Sequence, residues 1–163
     1  MVLPASPELM FDALSGGAGP ASALGPTLEG SVVEARFETV VVQARAALSS
    51  FFSIDAEPTP GLAKALDALV RGLWESGWDP SSGRTDMFTL HLGALLMDAV
   101  LRTCGGGAVF RSDRELTHAS VWFGAAKVEL FPFHKAYRAL TRRGESLDDL
   151  YRIARQLREA AGA

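Results

Sequence analysis

The chain has 163 residues, of which 48% are hydrophobic and 21% charged, and its formal net charge is −3. This balance excludes a disordered chain, and the length is typical of one globular domain. A single cysteine, Cys104, excludes an intramolecular disulfide and favours the cytoplasm. The longest apolar stretch, 87–101, is interrupted by His91 and Asp98 and is shorter than a bilayer span, so we expect no membrane association.

The first 30 residues predict a flexible N-terminal tail, because they are rich in Gly, Pro, Ala and Ser, especially from Ser15 to Pro26. Pro7 is well placed to begin one short helix, which Gly16 would end. The apolar side chains of this segment could dock on the rest of the chain or on a partner. Residues 31–163 are then expected to form a single α+β domain.

Three helices are predicted in the first part of that domain. A capping box at Ser31–Glu34 begins the first helix, of about 20 residues, although the run Val40–Val42 leaves a strand possible. The dipeptide Thr59-Pro60 begins the second helix, and Gly77 ends it. The third helix runs from about Asp86 to Thr103 and is apolar on most sides, which makes it the candidate for the central core helix.

After Cys104 and three glycines, the hydrophobic period changes towards two. The segments Ala108–Arg111, Leu116–Phe123 and Lys127–Phe131 are short and rich in β-forming residues, which predicts strands. The whole pattern therefore predicts an α+β fold, in which helices are followed by a small three-stranded antiparallel meander and two C-terminal helices.

The two C-terminal helices are predicted from Pro132 to Gly144 and after Ser146, which is expected to cap the second of them. In the first, the side chains expected to face the core are Phe133, Ala136, Tyr137 and Leu140.

The last third of the chain also carries a run of short motifs. These are Leu92-Gly93 in an apolar helix, a glycine-rich stop, short strands, Phe131-Pro132-Phe133, Arg138-Ala139-Leu140 and a turn from Gly144 to Tyr151. This region resembles small bacterial α+β proteins of uncharacterised function. The resemblance implies the fold described above and an immunity or accessory role beside toxin systems.

The polar residues of the third helix, His91, Asp98 and Arg102, form one stripe at helical spacing. The stripe is interpreted either as a narrow solvent-facing edge with an Asp98–Arg102 ion pair, or as a buried site in which Asp98 orients a general base. The other histidines, His118 on a strand and His134 at a helix start, are too scattered to form a compact metal motif, so we expect no metal site.

Nucleophiles and phosphate-binding loops are not indicated. Cys104 falls at a helix C-terminus, where the helix dipole disfavours a thiolate. Gly105–Gly107 follow a helix, whereas phosphate-binding glycines precede one. Ser120 only alternates along a strand, and Asp148-Asp149 suit the first turn of a helix. We expect no catalytic residue and no cofactor.

Charge is distributed unevenly, since residues 1–79 sum to −6 and residues 132–163 to +3. The predicted helix from Pro132 turns four basic side chains towards solvent, those of Lys135, Arg138, Arg142 and Arg143. Arginine suits pairing with carboxylates at interfaces, although cations near a helix C-terminus can also be purely structural. Few aromatic residues and a net acidic chain argue against nucleic-acid binding.

The sequence thus favours a non-catalytic protein-interaction module, of the immunity-like or accessory kind. Its expected partner is a protein with an acidic surface or a second copy of the chain. This partner is expected to bind the four basic side chains of the helix from Pro132. The alternative is a small-ligand-binding protein or enzyme that uses a pocket around His91 and Asp98.

Overall fold

The structure, a computed structural model, describes residues 30–111 and 115–162. Its elements in chain order are α1 (Gly30–Phe52), α2 (Leu62–Glu75), α3 (Thr85–Thr103), β1 (Gly107–Val109), β2 (Ser120–Phe123), β3 (Val128–Leu130), α4 (Pro132–Thr141) and α5 (Leu147–Gly162). A turn of 3₁₀ helix, Leu116–His118, lies between β1 and β2. The predicted α+β order of helices, a three-stranded antiparallel sheet and two C-terminal helices is confirmed within these ranges.

Helix α1 is continuous over 23 residues, so Val40–Val42 is helical and the alternative strand is not formed. It begins at Gly30, while the rest of the predicted tail and the side chain of Ser31 lie outside the described residues. Apolar residues at three- and four-residue spacing form its buried side: Val33, Phe37, Val40, Val41, Ala44 and Leu48.

Helix α3 is the centre of the core, as its composition predicts. Residues 88–100 are all buried, and α1, α2, α4 and α5 pack around them. Helices α3 and α4 pack tightly at Gly93, which has no side chain. A Cβ atom added to Gly93 would lie only 2.4 Å from Cδ1 of Phe133 on α4. None of the helices in the described ranges is long and apolar enough to cross a membrane.

The sheet has the order β1-β2-β3, with Val121 of β2 paired to Ala108 on one side and Leu130 on the other. Its inward side chains Val121 and Phe123 are buried against the core. The sharp reversal after α3 is made by Gly105 and Gly106, whose φ angles of +78° and +82° suit glycine.

The predicted strand from Leu116 to Phe123 is wrong in its first part, because Leu116–His118 forms the 3₁₀ turn. The amides of His118 and Ala119 donate to the carbonyls of Glu115 and Leu116 at 3.0 and 2.9 Å. This turn buries Leu116 and leaves His118 exposed, whereas a strand would place these two side chains on the same face.

Helix α4 ends at Thr141, three residues before Gly144, which forms a turn at a φ of +88°. Tyr137 is 49% exposed, so its predicted place in the core is wrong. The buried side is formed instead by Phe133, Ala136, Ala139 and Leu140. The indole nitrogens of Trp74 and Trp78 donate to the carbonyls of Ala139 and Leu140 at 3.0 and 2.8 Å and hold the end of α4 against α2.

The start of α5 is capped from another helix. Both carboxylate oxygens of Asp67, on α2, accept backbone amides, from Leu147 at 2.6 Å and from Asp148 at 3.1 Å. The hydroxyl of Ser146 donates to the same carboxylate at 2.6 Å, so it supports the cap instead of acting as the cap itself.

Candidate functional site

Helix α4 has one side in the core and one side in solvent. Pro132 fits its first position, since an amide hydrogen there would have no helical partner. His134, Tyr137 and Arg138 project from the outer side and are exposed. Arg142, also exposed, directly follows the last turn. We call His134, Tyr137, Arg138 and Arg142 the basic face.

Two of the four predicted partner-binding residues are engaged within the chain. Lys135 Nζ lies 2.7 Å from Glu145 Oε2, and the lysine side chain is only 11% exposed. The guanidinium of Arg143 lies over the ring of Trp74, with Cζ 5.4 Å from the centroid, and donates to the Trp74 carbonyl at 3.1 Å. Lys135 and Arg143 therefore fasten α4 and the loop that follows it.

The other two predicted residues, Arg138 and Arg142, are exposed, and no hydrogen bond or ion pair to their side chains is present in the described part of the chain. Their charges nevertheless reach Glu145. The hydrogen bond from Lys135 lowers the pKa of Glu145 most, and the charges of Arg138 and Arg142 lower it further. The face thus carries guanidinium groups that are free to bind carboxylates, next to the half-exposed ring of Tyr137.

His134 belongs to the same face, although its sequence position suggested no role other than that of a possible metal ligand. It lies four residues before Arg138, a spacing that places both side chains on one side of a helix. Its ring stacks on Phe131 at a centroid distance of 5.3 Å, and the ring of His118 meets it edge-on at 6.2 Å. The aromatic surface beside the basic face was not predicted, because it joins the 3₁₀ turn to α4 across 16 residues of sequence.

Arg111 orders this aromatic surface from the sheet side. Its guanidinium lies over Phe131 at 5.9 Å, donates to the His118 carbonyl at 2.9 Å and pairs with Glu129 at 2.6 Å. The hydroxyl of Ser120 donates to the same Glu129 carboxylate. Hydrogen bonds from Arg111 and then Ser120 lower the pKa of Glu129, which makes it a stable acceptor and a weak base.

Asp98 is buried, so the interpretation of its stripe as a solvent-facing edge is wrong. The predicted Asp98–Arg102 pair is present, with Arg102 Nε 2.8 Å from Oδ1. A second guanidinium, from Arg45 on α1, lies 2.5 Å from the other carboxylate oxygen, Oδ2. The pair at Oδ2 therefore joins α1 to α3, whereas the pair at Oδ1 lies within α3.

His91 is also buried, and no hydrogen bond joins it to Asp98 within the described residues. Its Nδ1 lies 2.8 Å from the carbonyl oxygen of Met87, which accepts a hydrogen bond from the ring N–H. Its Nε2 has no partner among the described residues, and burial lowers the pKa of the imidazole. Among the described residues, Asp98 therefore does not orient the His91 ring by a hydrogen bond.

The other residues considered for chemistry, Cys104, Asp148 and Asp149, lie at helix ends. Cys104 is buried at the C-terminal cap of α3, as expected. Its neighbour Thr103 shares a hydrogen bond of 2.7 Å with the hydroxyl of Tyr151, which ties α3 to α5. Asp148 and Asp149 lie in the first turn of α5, where both pair with Arg152. Within the described ranges, no three His, Cys, Asp or Glu side chains are grouped so as to hold a metal ion.

Comparison with family models, curated proteins and solved structures finds no match to this chain. Functional inference therefore depends on the geometry of its own residues. The most distinctive arrangement among those described is the basic face of α4, with its free guanidinium groups and the adjoining aromatic side chains.

Proposed function

We propose that this protein is a non-catalytic protein-interaction module that binds an acidic surface of a partner protein through the basic face. The observation that carries the proposal is a contrast within α4 and the two residues after it: Lys135 and Arg143 are held by internal contacts, whereas Arg138 and Arg142 are exposed. The guanidinium groups of Arg138 and Arg142 make no hydrogen bond or ion pair with the described residues, so both remain available to a partner.

The residue types of the basic face suit this role. Arginine and tyrosine are enriched among the residues that dominate binding energy at protein interfaces. A planar guanidinium can donate two parallel hydrogen bonds to one carboxylate, and complementary charge increases the rate of encounter. The adjoining Phe131 and His134 rings extend the same surface with aromatic area, which excludes water from such pairs.

The biological setting is inferred from the sequence. The resemblance of the last third to small bacterial α+β proteins favours an immunity or accessory role, and a single buried cysteine suits a reducing cytoplasm. A partner with an acidic surface, such as a toxin or another component of the same system, would fit both that role and the charge of the face.

Affinity capture from the native host tests the proposal with two charge-reversed variants. Arg138→Glu with Arg142→Glu alters the basic face, and Lys64→Glu with Arg71→Glu makes the same change in net charge at exposed positions of α2. We expect mass spectrometry to find a protein that wild type and the α2 variant capture and the α4 variant loses. The purified partner should bind more weakly as salt is raised.

The proposal would be overturned if the α4 variant captured the same proteins as the α2 variant. It would also be overturned if the captured protein lacked an acidic surface, or if binding by the purified partner did not depend on ionic strength. Circular dichroism and the thermal midpoint of both variants should remain near wild type, because the four substituted side chains are exposed.

A further inference from the structure

The outer side of α1 carries a row of side chains that is complementary to the basic face. Glu34, Glu38 and Val42 are exposed and follow one another at four-residue spacing, which places them on one side of the helix. Val42 is 64% exposed, more than any other large hydrophobic side chain in the described ranges. We call Glu34, Glu38 and Val42 the acidic stripe.

The carboxylates of the acidic stripe are not neutralised by a nearby cation. Arg102 on α3 lies close enough to Glu38 and Glu57 for their charges to raise its pKa, although its hydrogen bond to Asp98 raises that pKa most. This guanidinium is already paired with Asp98, at 2.8 Å. Since Glu57 is exposed as well, the side of the molecule around Arg102 keeps carboxylates that are open to a further cation.

The basic face has the same spacing as the acidic stripe. His134, Arg138 and Arg142 are exposed and also four residues apart, which is about 6 Å along a helix. If α4 packs antiparallel to α1, the two arginines therefore meet the two carboxylates together, and His134 meets Val42. Arg142 directly follows the last turn of α4, and its long side chain gives it the reach to complete this register.

The apolar parts of the two surfaces also match. His134 stacks on Phe131 at 5.3 Å, so Val42 would pack against an aromatic surface. Tyr137 is 49% exposed and falls opposite Thr39, a smaller exposed side chain that leaves room for the ring. A partner that supplied only carboxylates would leave these rings uncovered, whereas the acidic stripe supplies both carboxylates and an apolar side chain.

The two surfaces do not pair within one molecule. Helices α1 and α4 both pack against α3, and no ion pair joins the stripe carboxylates to Arg138 or Arg142 in the part of the chain that the structure describes. Each molecule therefore presents one surface of each kind to other molecules. Contact between two different surfaces of identical chains is the heterologous type of association.

We infer that the acidic stripe of a second copy of this chain binds the basic face. Glu34 pairs with Arg142, Glu38 pairs with Arg138, and Val42 packs on the adjoining aromatic rings. This inference rests on the proposed function of the basic face and names its partner.

Analytical ultracentrifugation of the full-length protein over a wide range of concentration tests the inference. Wild type should associate reversibly, and its Kd should rise as salt is raised. Arg138→Glu with Arg142→Glu should weaken this association by more than about tenfold. Glu34→Lys with Glu38→Lys should weaken it to a similar extent, because the same ion pairs are lost from the other side.

Mixing the two reversed variants supplies the sharper result. Each retains the surface that the other has lost, so the mixture should form a 1:1 complex although neither variant associates well alone. Variants that had simply failed to fold would not recover on mixing. Circular dichroism of each variant should remain near wild type, because all four substituted side chains are exposed.

Matched controls make the same changes in net charge at exposed positions elsewhere. Lys64→Glu with Arg71→Glu is the control for the basic face, and Asp86→Lys with Glu159→Lys is the control for the acidic stripe. Each control should associate like wild type, and mixing the two should add nothing. Association that the controls weaken as much as the test variants do would reflect net charge alone and would overturn the inference.

The remaining outcomes separate this inference from the proposed function. Wild type that stays monomeric, while affinity capture of another protein depends on Arg138 and Arg142, refutes the second copy as partner and leaves the proposed function. Association that is unaffected by reversing the stripe but lost on reversing the arginines does the same. Association and capture that are both unaffected by reversing the arginines refute the proposed function together with the inference.

Self-association that depends on both surfaces supports the inference. Recovery in the mixture of reversed variants is the result that no other account of the basic face predicts.

Discussion

A single buried carboxylate, that of Asp98, pairs with residues of two helices in this fold. The carboxylate of Asp98 is 4% exposed and accepts from Arg45 and Arg102, which belong to different helices. A buried charge that loses its counterion is far more costly than an exposed one, because water cannot replace the partner. The structural role of Asp98 is therefore much larger than that of an ordinary ion pair between neighbouring residues of one helix.

Asp98→Asn should destabilise the protein by about 3–5 kcal/mol, because it leaves two guanidinium groups facing a neutral amide. Chemical denaturation of the purified variant measures the change in the free energy of unfolding. The matched control is Asp149→Asn, whose carboxylate is 47% exposed beside Arg152 and should cost less than about 1 kcal/mol. Equal effects of the two substitutions would contradict the burial of the Asp98 pair.

His91 should make stability depend on pH. Burial lowers its pKa in the folded state below the ordinary value of 6.5, so the unfolded chain binds a proton more readily. The stabilisation associated with neutral His91 is then complete above pH 6.5 and is lost as pH falls through the lowered folded-state value.

Denaturation of wild type and His91→Leu between pH 8 and 5 measures this contribution, since leucine does not titrate and the other groups are common to both proteins. Wild type should lose more of its free energy of unfolding on acidification than the variant does. Parallel curves would mean that His91 is hydrated in the folded protein.

At the scale of elements, helix ends are secured by contacts between helices. The amides at the start of α5 are accepted by Asp67 from α2, and the carbonyls near the end of α4 are met by Trp74 and Trp78. These contacts fix α4 relative to α2 and α5 and hold its outer side, which carries the basic face, in solvent.

Asp67→Ala should lower the free energy of unfolding by about 1–2 kcal/mol, the usual cost of losing a helix cap. Amide exchange at Leu147 and Asp148 should accelerate, because their hydrogens lose an acceptor. Ser146→Ala removes only the supporting hydroxyl and should have a smaller effect. A larger effect for Ser146 would show that its hydroxyl, and not Asp67, is the cap.

Local pattern predicts the elements well, because the signals that define them lie within a few residues of one another. The sequence correctly places the end of α2 close to Gly77 and the reversal at Gly105, because each glycine follows a segment of apolar periodicity. The 3₁₀ turn at Leu116–His118 was missed, since it lies directly before β2 and a turn of three residues is too short to show a period of its own. Tyr137 was misplaced because its position borders both sides of α4.

Contacts between distant residues were not predictable from one sequence. Arg45 lies 53 positions before Asp98, and Asp67 lies 80 before Leu147. No local period links such pairs, so the burial of Asp98 and the origin of the α5 cap had to come from the structure. The contacts of Lys135 with Glu145 and of Arg143 with Trp74 were not predicted for the same reason.

At the scale of the whole molecule, charge separates the two ends of the chain. Residues 1–79 sum to −6 and residues 132–163 to +3. The positive end includes the basic face. One molecule therefore carries a site for acidic groups at one end of its chain and an excess of carboxylates at the other.

The most direct test of the basic face is an NMR titration of ¹⁵N-labelled full-length protein with poly-L-glutamate. We predict that the largest amide shifts occur at residues 134–142, that they diminish as salt is raised, and that Arg138→Glu with Arg142→Glu abolishes them. Shifts centred instead on the exposed arginines of α5, Arg152 and Arg155, or unchanged in the α4 variant, would contradict the account.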